Sequence, residues 1–389
     1  MNPLNNPFAP GPGKIPPALV GRDEVLKSYE IMLGRLKLGK SPTPIFMYGL
    51  RGVGKTVLLL QIEKNAKKMG FLTERFEVDE VSEFNFQTAI LTRIKNLILQ
   101  LSSIEKLKEH YNRLVKILRN LSFKYSDFEF GLDLDLTIGE ADSGNFADDL
   151  PLLLTQLGTL AADKGKHVCL LIDEVQNLNK KDMSALLSAM HRVGQEQLPV
   201  TFVPAGLPSL LARAAEAKSY AERFVYESIG PLDEKSARLA IQEPFQQEGA
   251  DIADDTIAKV IAIAKGYPYF IQQFGEALWD EAIGNIAKVE DLERAIPIAM
   301  NSLDNGFFQA RYNRSTEEER RFLACMAQQT VAPYDISLIG KCLEKNSQHV
   351  GTYRSKLIDK GLIYAPSYGK IDFTVPLFDD YLRRIAQGN

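Results

Sequence analysis

The chain has 389 residues, with 46 Lys and Arg against 50 Asp and Glu, a formal net charge of −4. At roughly 100–200 residues per domain, this length indicates about two or three domains. Hydrophobic residues make up 45% and charged residues 25%, which excludes a mainly disordered chain. The small negative charge also excludes a surface that is basic all over, so a nucleic-acid site would have to be a local patch.

The cysteines and the apolar runs indicate a protein of a reducing compartment. Cys169, Cys325 and Cys342 lie far apart in the chain and cannot all pair, so we expect neither a disulfide framework nor a cysteine-rich zinc site. The Pro- and Asn-rich start lacks the basic residues and the apolar block of a signal peptide. No apolar run approaches the ~20 residues that span a bilayer. These patterns predict a soluble cytoplasmic protein with no membrane contact.

In chain order, residues 1–18 are predicted to be an extended arm, because six prolines oppose a helix there. The arm is either a loose tail or lies on the first domain with Phe8 as its anchor. From residue 45 to 229, apolar runs alternate with helical patterns, which predicts a parallel α/β sheet. The segment 123–146 interrupts this alternation with a period of two residues, and we expect a β-hairpin insertion at the surface there.

After Pro231 the strand patterns stop, and four helical stretches predict a small helical domain over residues 231–310. From residue 315 to 389 come three helical stretches, then a strand, a turn at 367–370 and another strand. The predicted organisation is therefore an arm at 1–18, an α/β domain at 19–230, a helical domain at 231–310 and a third unit at 315–389.

The segment GLRGVGKT at residues 49–56 matches G-x-x-x-x-G-K-[ST] between a predicted strand and a predicted helix. Its glycines let successive N–H groups curl around an anion, and the following helix directs its positive end to the same place. Lys55 adds a charge for the β- and γ-phosphates, and Thr56 offers a hydroxyl to Mg²⁺. The candidate nucleotide-binding residues of this segment are Gly49, Leu50, Arg51, Gly52, Val53, Gly54, Lys55, Thr56 and Val57.

A second motif, LLIDE, follows an apolar strand at residues 170–174. Asp173 at the end of the strand is the candidate partner of Thr56 in holding Mg²⁺, and Glu174 is the candidate general base for the attacking water. Such an acid pair is common by itself, and its meaning comes from the phosphate motif upstream. Lys55 and Glu174 are thus candidate catalytic residues of a nucleotide hydrolase.

With these two motifs in order, residues 20–300 resemble P-loop ATPases of the AAA+/STAND superfamily, above all archaeal-type ATPases and origin-recognition initiator ATPases. The resemblance implies a parallel-sheet P-loop core with a helical lid at 231–310. The third unit resembles a winged helix-turn-helix domain. ATP and Mg²⁺ are the implied cofactors, and the implied activity is Mg²⁺-dependent ATP hydrolysis that drives a switch.

Smaller motifs extend the resemblance. LVGRDEVL at 19–26 resembles a segment that borders adenine through Val20 and Arg22, and GYPYFIQ at 266–272 resembles a G-x-P motif whose Pro268 packs on the base. SYAERF at 219–224 resembles a segment with an arginine finger, so Arg223 is either that finger, acting across a subunit boundary, or an exposed charge. Two positions depart from the pattern: Pro204-Ala205-Gly206 stands at the sensor-1 strand end, where Thr201 is the nearest polar candidate, and Tyr267-Pro268 replaces a sensor-2 arginine.

Residues 341–370 carry six basic residues against two acids, a plausible groove-facing patch. The candidate DNA-binding residues are Arg354 and Lys356 on the third helix and Lys370 at the wing tip. Two interpretations stay open. One is a nucleotide-dependent switch that binds double-stranded DNA. The other is a STAND-type signalling or defence ATPase whose third unit docks on a protein partner, or on another copy of the chain, or holds the ATPase closed. Mere nucleotide binding is disfavoured by Glu174, whose role needs hydrolysis.

Overall fold

The computed structural model describes residues 1–11, 13–79, 86–102, 114, 117, 118, 121 and 145–387. The predicted hairpin insertion at 123–146 lies outside these ranges except for its last two residues. The chain divides into two compact units. A sheet unit comprises Asp23–Gly49 and Lys55–Ile229, and a helical unit comprises Met1–Arg22, Leu50–Gly54 and Gly230–Asn389. The further division of the helical unit near residue 310 stays a prediction.

The sheet unit contains five parallel strands in the spatial order β2-β3-β4-β1-β5. This confirms the predicted parallel α/β fold. The central strands β3 and β4 are buried almost throughout, as continuous apolar runs predict for strands covered on both faces. The five strands are β1 (Ile45–Gly49), β2 (Phe71–Glu77), β3 (His167–Asp173), β4 (Val200–Gly206) and β5 (Val225–Ile229).

Helices cover the sheet, and most of them have one apolar face. In the first helix, Tyr29, Met32, Leu33 and Leu36 are buried, and their spacing of three and four residues is that of one helix face. One apolar core joins the sheet to the third, fourth and fifth helices. The helices of this unit are α1 (Asp23–Lys37), α2 (Lys55–Lys68), α3 (Phe86–Ser102), α4 (Phe146–Asp163), α5 (Lys180–Gln195) and α6 (Ser209–Ala217).

The helical unit begins with four helices that correspond to the predicted lid. Contrary to the prediction, strands do not stop after Pro231, since Asp251–Ile252 (β6) pairs with Ile286–Ala287 (β7). Two residues per strand are too few to produce a readable period. The four helices are α7 (Glu234–Gln247), α8 (Asp254–Ala264), α9 (Pro268–Glu281) and α10 (Val289–Ser302).

A π-helical segment, Leu303–Phe308, continues α10 into the short helix α11 (Gln309–Asn313). Phe308 in this segment is fully buried and stacks on Phe378 and Tyr381, with ring centroids 5.7 and 5.5 Å apart. The helical path therefore leads directly to the packing of the last helix.

The remaining elements follow the predicted order of three helices and then two strands. A short strand, β8, precedes the second helix and joins the last two strands in an antiparallel sheet of order β8-β10-β9. These elements are α12 (Glu317–Ala327), β8 (Tyr334–Asp335), α13 (Ile336–Leu343), α14 (Ser347–Asp359), β9 (Ile363–Ser367), β10 (Lys370–Phe373) and α15 (Phe378–Gln387).

The N-terminal arm belongs to the helical unit and packs on α9 of that unit. Phe8 is its anchor, as the sequence predicts: it is buried, and its ring lies 5.5 Å from that of Phe245. The indole N–H of Trp279 donates to the carbonyl of Asn2 at 2.9 Å, and the Asn6 amide donates to the carbonyl of Glu276 at 3.0 Å. The contacts of the arm therefore lie on the helical unit.

The expectation that the cysteines do not pair is wrong for two of them. Cys325 in α12 and Cys342 in α13 form a disulfide across 17 positions of sequence. Distance along the chain misled the prediction, because these two helices pack side by side. Cys169 remains a buried free thiol. Cysteine usage therefore gives no argument for a reducing compartment.

Candidate functional site

In the sheet unit, the phosphate-motif residues of α2 meet the acid pair at the end of β3. The hydroxyl of Thr56 donates to Oδ2 of Asp173 at 2.7 Å. Lys55 is buried, and its ammonium group donates to the carbonyl of Gly49 at 3.0 Å. The structure thus brings together the two predicted metal ligands and places the predicted phosphate-binding lysine beside the strand end that precedes it.

The Asp173 carboxyl group lies in an unfavourable place for a negative charge. Burial raises its pKa above the ordinary value, and the nearby Glu174 carboxylate adds to this rise. The hydrogen bond from Thr56 and the charge of Lys55 offset the rise only in part. A hydroxyl and a carboxylate are oxygen ligands of the kind that Mg²⁺ prefers, so Thr56 and Asp173 fit a magnesium ion.

Glu174 follows with its backbone in the left-handed region, at φ 53° and ψ 36°. Residues other than glycine rarely adopt this conformation, and such strain concentrates at functional sites. The side-chain amide of Gln176, two residues on, donates to the Glu174 carboxylate. Gln176 is a site residue that the sequence analysis did not predict. The only signal for it was a glutamine two positions after the acid pair, in the sequence DEVQ.

Thr201 is not at the sensor-1 position. It is the second residue of β4 and lies at the opposite end of that seven-residue strand from Gly206. Its buried hydroxyl contacts the sulfur of Met32 at 3.9 Å. Directly after the end of β4, the backbone N–H of Leu207 donates to Oε1 of Gln176 at 2.8 Å.

The helical unit contains the middle of the phosphate loop, Leu50–Gly54. Gly52 and Gly54 have φ values of 83° and 96°, which explains why glycine stands at both positions. The backbone N–H of Tyr269 donates to the carbonyl of Gly52 at 3.3 Å. These residues of the loop are therefore held by the first turn of α9, the helix that Pro268 begins.

Arg22 holds the same loop from another side. Its guanidinium donates to the carbonyl of Val53 at 3.2 Å and to that of Gly230 at 2.6 Å. Arg51 lies close enough to Arg314 to lower the pKa of Arg314, an effect smaller than that of burial. The structure thus assigns Arg22 a bridging contact that the sequence did not predict, and it adds Arg314 to the surroundings of the loop.

Arg223 is an exposed residue at the end of the 3₁₀ turn Ser219–Arg223. Within the turn, the ring of Tyr220 stacks on that of His191, with ring centroids 4.5 Å apart. The Tyr226 hydroxyl also donates to the carbonyl of Ala221 at 2.9 Å. The predicted finger therefore projects from a well-held turn.

Two residues of the predicted basic patch near the C-terminus form ion pairs. Lys370 is the first residue of β10 rather than the wing tip, and it forms an ion pair of 3.3 Å with Asp335. Lys360 pairs at 2.6 Å with the buried Glu319. Lys356 is exposed and Arg354 is half-buried on α14. The tip of the hairpin carries instead the fully exposed ring of Tyr368.

A family model described as an AAA ATPase domain matches residues 18–203, and a model described as a Domain of unknown function (DUF8462) matches residues 305–382. Residues 18–203 are therefore similar to AAA ATPase domains. The matched range contains both the phosphate motif and the acid pair. No curated protein matches the chain.

Several solved structures are similar to the chain over most of its length. The Walker-type ATPase PABY2304 of Pyrococcus abyssi is 14% identical with a TM-score of 0.58, over 94% of this chain and 96% of that one. The Aeropyrum pernix Orc1 protein in complex with DNA is 13% identical, with a TM-score of 0.46 and 96% of each chain covered. The Thermotoga maritima RuvB Holliday junction branch migration motor is 15% identical, with a TM-score of 0.47 over 92% of this chain and 94% of that one. The match of residues 18–203 to the AAA ATPase domain model and the shared fold of the first of these structures confirm the predicted resemblance to P-loop AAA+ ATPases.

Membrane-spanning helices and clustered metal ligands are both absent from the described ranges. Among those residues no helix is long and apolar enough to cross a membrane. Within the same ranges no group of three or more His, Cys, Asp and Glu side chains is arranged to hold a metal ion. A magnesium ion at Thr56 and Asp173 would therefore depend on water and phosphate oxygens for its other ligands.

Proposed function

We propose that the chain binds ATP with Mg²⁺ through residues 49–56, hydrolyses it, and uses the bound nucleotide as a switch. The observation that carries this proposal is the hydrogen bond of 2.7 Å between Thr56 and Asp173. In P-loop ATPases a hydroxyl and a strand-end carboxylate hold the magnesium ion between them. Here 117 positions of sequence separate these two groups, and the fold brings them into direct contact.

Each residue of the sheet unit has a definite task in this proposal. Lys55 leaves the carbonyl of Gly49 to contact the β- and γ-phosphates. Glu174 accepts the proton of the attacking water. Bound Mg²⁺ supplies neutralisation of phosphate charge. The N–H groups of the glycine-rich loop face the phosphates, while Val20, Arg22 and Pro268 border the adenine.

Two further arginines, Arg51 and Arg223, have roles in this proposal. Arg51 contacts either the nucleotide or a neighbouring molecule. Arg223 acts as a finger on the nucleotide of another copy of the chain, and its exposure on a well-held turn supports this role.

The substitution Glu174→Gln tests the hydrolytic role. The amide keeps the size of the side chain but cannot accept the proton, so we expect ATP binding to persist while single-turnover hydrolysis slows about 100-fold. Glu216→Gln, at an exposed position of α6, is the matched control and should leave the rate unchanged. Wild-type turnover in Glu174→Gln would place the base elsewhere.

We further propose that residues 315–387 form a winged helix that places α14 in the major groove of double-stranded DNA. Val350 and Leu357 bury one face of α14 in the unit. Lys356 is exposed on another side of the helix, and Arg354, four residues after Val350, lies half-buried at the edge of the buried face. The second candidate function is docking of the same unit on a protein partner or on the ATPase itself. The internal ion pairs of Lys360 and Lys370 and the exposed Tyr368 favour it.

Fluorescence anisotropy with a DNA duplex, over a salt series and with or without ATP, separates these two functions. Neutralising Arg354, Lys356 and Lys370 should weaken binding and reduce the salt slope by about 0.9 for each phosphate that the variant no longer neutralises. Neutralising the exposed Lys235, Lys259 and Lys288 of the same unit is the matched control. If the wild-type chain fails to bind duplex even at low salt, the docking function replaces DNA binding.

A further inference from the structure

The side chain of Gln176 connects two parts of the sheet unit. Its amide nitrogen donates to the carboxylate of Glu174, and its amide oxygen accepts the N–H of Leu207 at 2.8 Å. Leu207 directly follows the last residue of β4. Gln176 itself is buried, with 2% of its surface exposed. A single amide thus joins the proposed base to the end of the neighbouring strand.

The direction of this amide is determined by its partners. The backbone N–H of Leu207 can only donate, so the amide oxygen must face it and the amide nitrogen must face Glu174. Gly206 reinforces the arrangement, because a Cβ at that position would come within 2.7 Å of the same amide oxygen. The close approach of strand and side chain therefore depends on glycine at the strand end.

We propose that Gln176 is a positioning residue that fixes the Glu174 carboxylate and ties it to the end of β4. This inference rests on the proposed role of Glu174 as the base. The amide donates to one oxygen of that carboxylate and so restricts its orientation. Any displacement of the end of β4 is passed to the base through two hydrogen bonds, so the strand end controls hydrolysis without touching the nucleotide.

The substitution Gln176→Glu separates the two ends of the bridge. It keeps an oxygen for the N–H of Leu207 but replaces the donor to Glu174 with a second negative charge. We expect kcat for ATP to fall about 10- to 100-fold, because a displacement of about 1 Å of a catalytic group can cost about 100-fold, while KM changes less than about twofold. Gln273→Glu is the matched control, since Gln273 is a buried glutamine of α9 that donates to Glu276 at 3.2 Å.

A double-mutant cycle with Glu174→Gln tests whether Gln176 acts through the base. We expect Gln176→Glu to cause no further fall in kcat once Glu174 is a glutamine. A further fall of the same size would overturn the inference, because Gln176 would then act independently. If Glu174→Gln slows hydrolysis but Gln176→Glu does not, only this inference fails. If Glu174→Gln is as fast as the wild type, the proposed function and this inference both fail.

Gly206→Ala provides a second route that does not depend on how the charged variant folds. Its methyl group displaces the amide while every polar group of the bridge remains. We expect the same loss of kcat with little change in KM, in protein whose melting temperature shows that it is folded. A folded Gly206→Ala protein with wild-type kcat would overturn the proposed coupling.

Discussion

The hydroxyl of Thr56 donates a hydrogen bond of 2.7 Å to the carboxylate of Asp173. Thr56 lies in the first turn of α2, and Asp173 is the last residue of β3. In the sheet, β4 lies between β1, which leads into α2, and β3. The contact therefore depends on the order of β3, β4 and β1 in the sheet, although each of the two residues was identified from a local motif.

The first prediction concerns the metal. Asp173→Asn keeps an oxygen for the Thr56 hydroxyl but removes the negative charge, so the Mg²⁺-dependent part of ATP binding should disappear. Thermal melts with ATP measure this. The wild type should melt at a higher temperature in Mg²⁺ than in EDTA, whereas the variant should melt at the same temperature in both. Asp148→Asn, at an exposed position in the first turn of α4, is the control. A persistent Mg²⁺ effect in Asp173→Asn would contradict the assignment.

The second prediction concerns Lys55. At an ATP concentration about 100 times Kd, a ligand stabilises the folded state by about 2.7 kcal/mol. Lys55→Ala removes the cationic phosphate contact and should abolish most of this stabilisation, whereas Lys64→Ala, an exposed position of the same helix, should retain it. Titration calorimetry gives the affinities directly. Unchanged ATP affinity in Lys55→Ala would remove residues 49–56 from the proposed site.

Much of the sheet unit could be predicted because its signals are local. An apolar run such as that of β3, or the spacing of Tyr29 and Met32 in α1, depends only on neighbouring residues. The phosphate motif carries its chemistry in eight consecutive residues. The AAA ATPase domain model matches residues 18–203, and this range contains all of these elements.

The features that the sequence analysis missed depend on contacts between distant residues. The bridge of Gln176 requires the parallel register that sets Ile172 beside Pro204. Lys360 and Lys370 of the predicted DNA patch form ion pairs with acids 41 and 35 positions away. Counting charges along the chain gives no information on such pairs.

The third prediction concerns Glu319, whose side chain is only 2% exposed. Burial alone would raise its pKa, but hydrogen bonds from Lys360 and from the Thr316 N–H outweigh this effect, so the pKa lies below its ordinary value. A carboxyl group of this kind stabilises the fold above its unfolded-state pKa, and the stabilisation is lost as the pH falls through the folded-state pKa.

We therefore expect Glu319→Gln to lower the free energy of unfolding by about 1–3 kcal/mol near neutral pH, and by less near about pH 3. Urea unfolding at both pH values measures the difference. Glu317→Gln, an exposed acid of the same first turn, should change little. An equal loss at both pH values would show that ionisation of Glu319 does not matter.

The fourth prediction concerns the disulfide between Cys325 and Cys342. The disulfide closes a loop of 17 positions. Such a loop restricts the unfolded chain by about 3 kcal/mol in the loop-entropy estimate, so a thiol reductant should lower the melting temperature of the helical unit. The double variant Cys325→Ser/Cys342→Ser should melt at the lower temperature with or without reductant. A wild-type melt that is insensitive to reductant would contradict the proposed stabilisation.

Gly275, in the middle of α9, forms the socket for the ring of Phe8, since an added Cβ would come within 2.5 Å of that ring. Glycine inside a helix is less favourable than alanine by about 1 kcal/mol, so the socket weakens the helix that carries it. In Gly275→Ala, the added methyl group would clash with the Phe8 ring and displace the arm, while alanine would favour the helical conformation of α9. The attachment of the arm can therefore be released separately from the fold beneath it, without altering the arm itself or any residue of the phosphate loop.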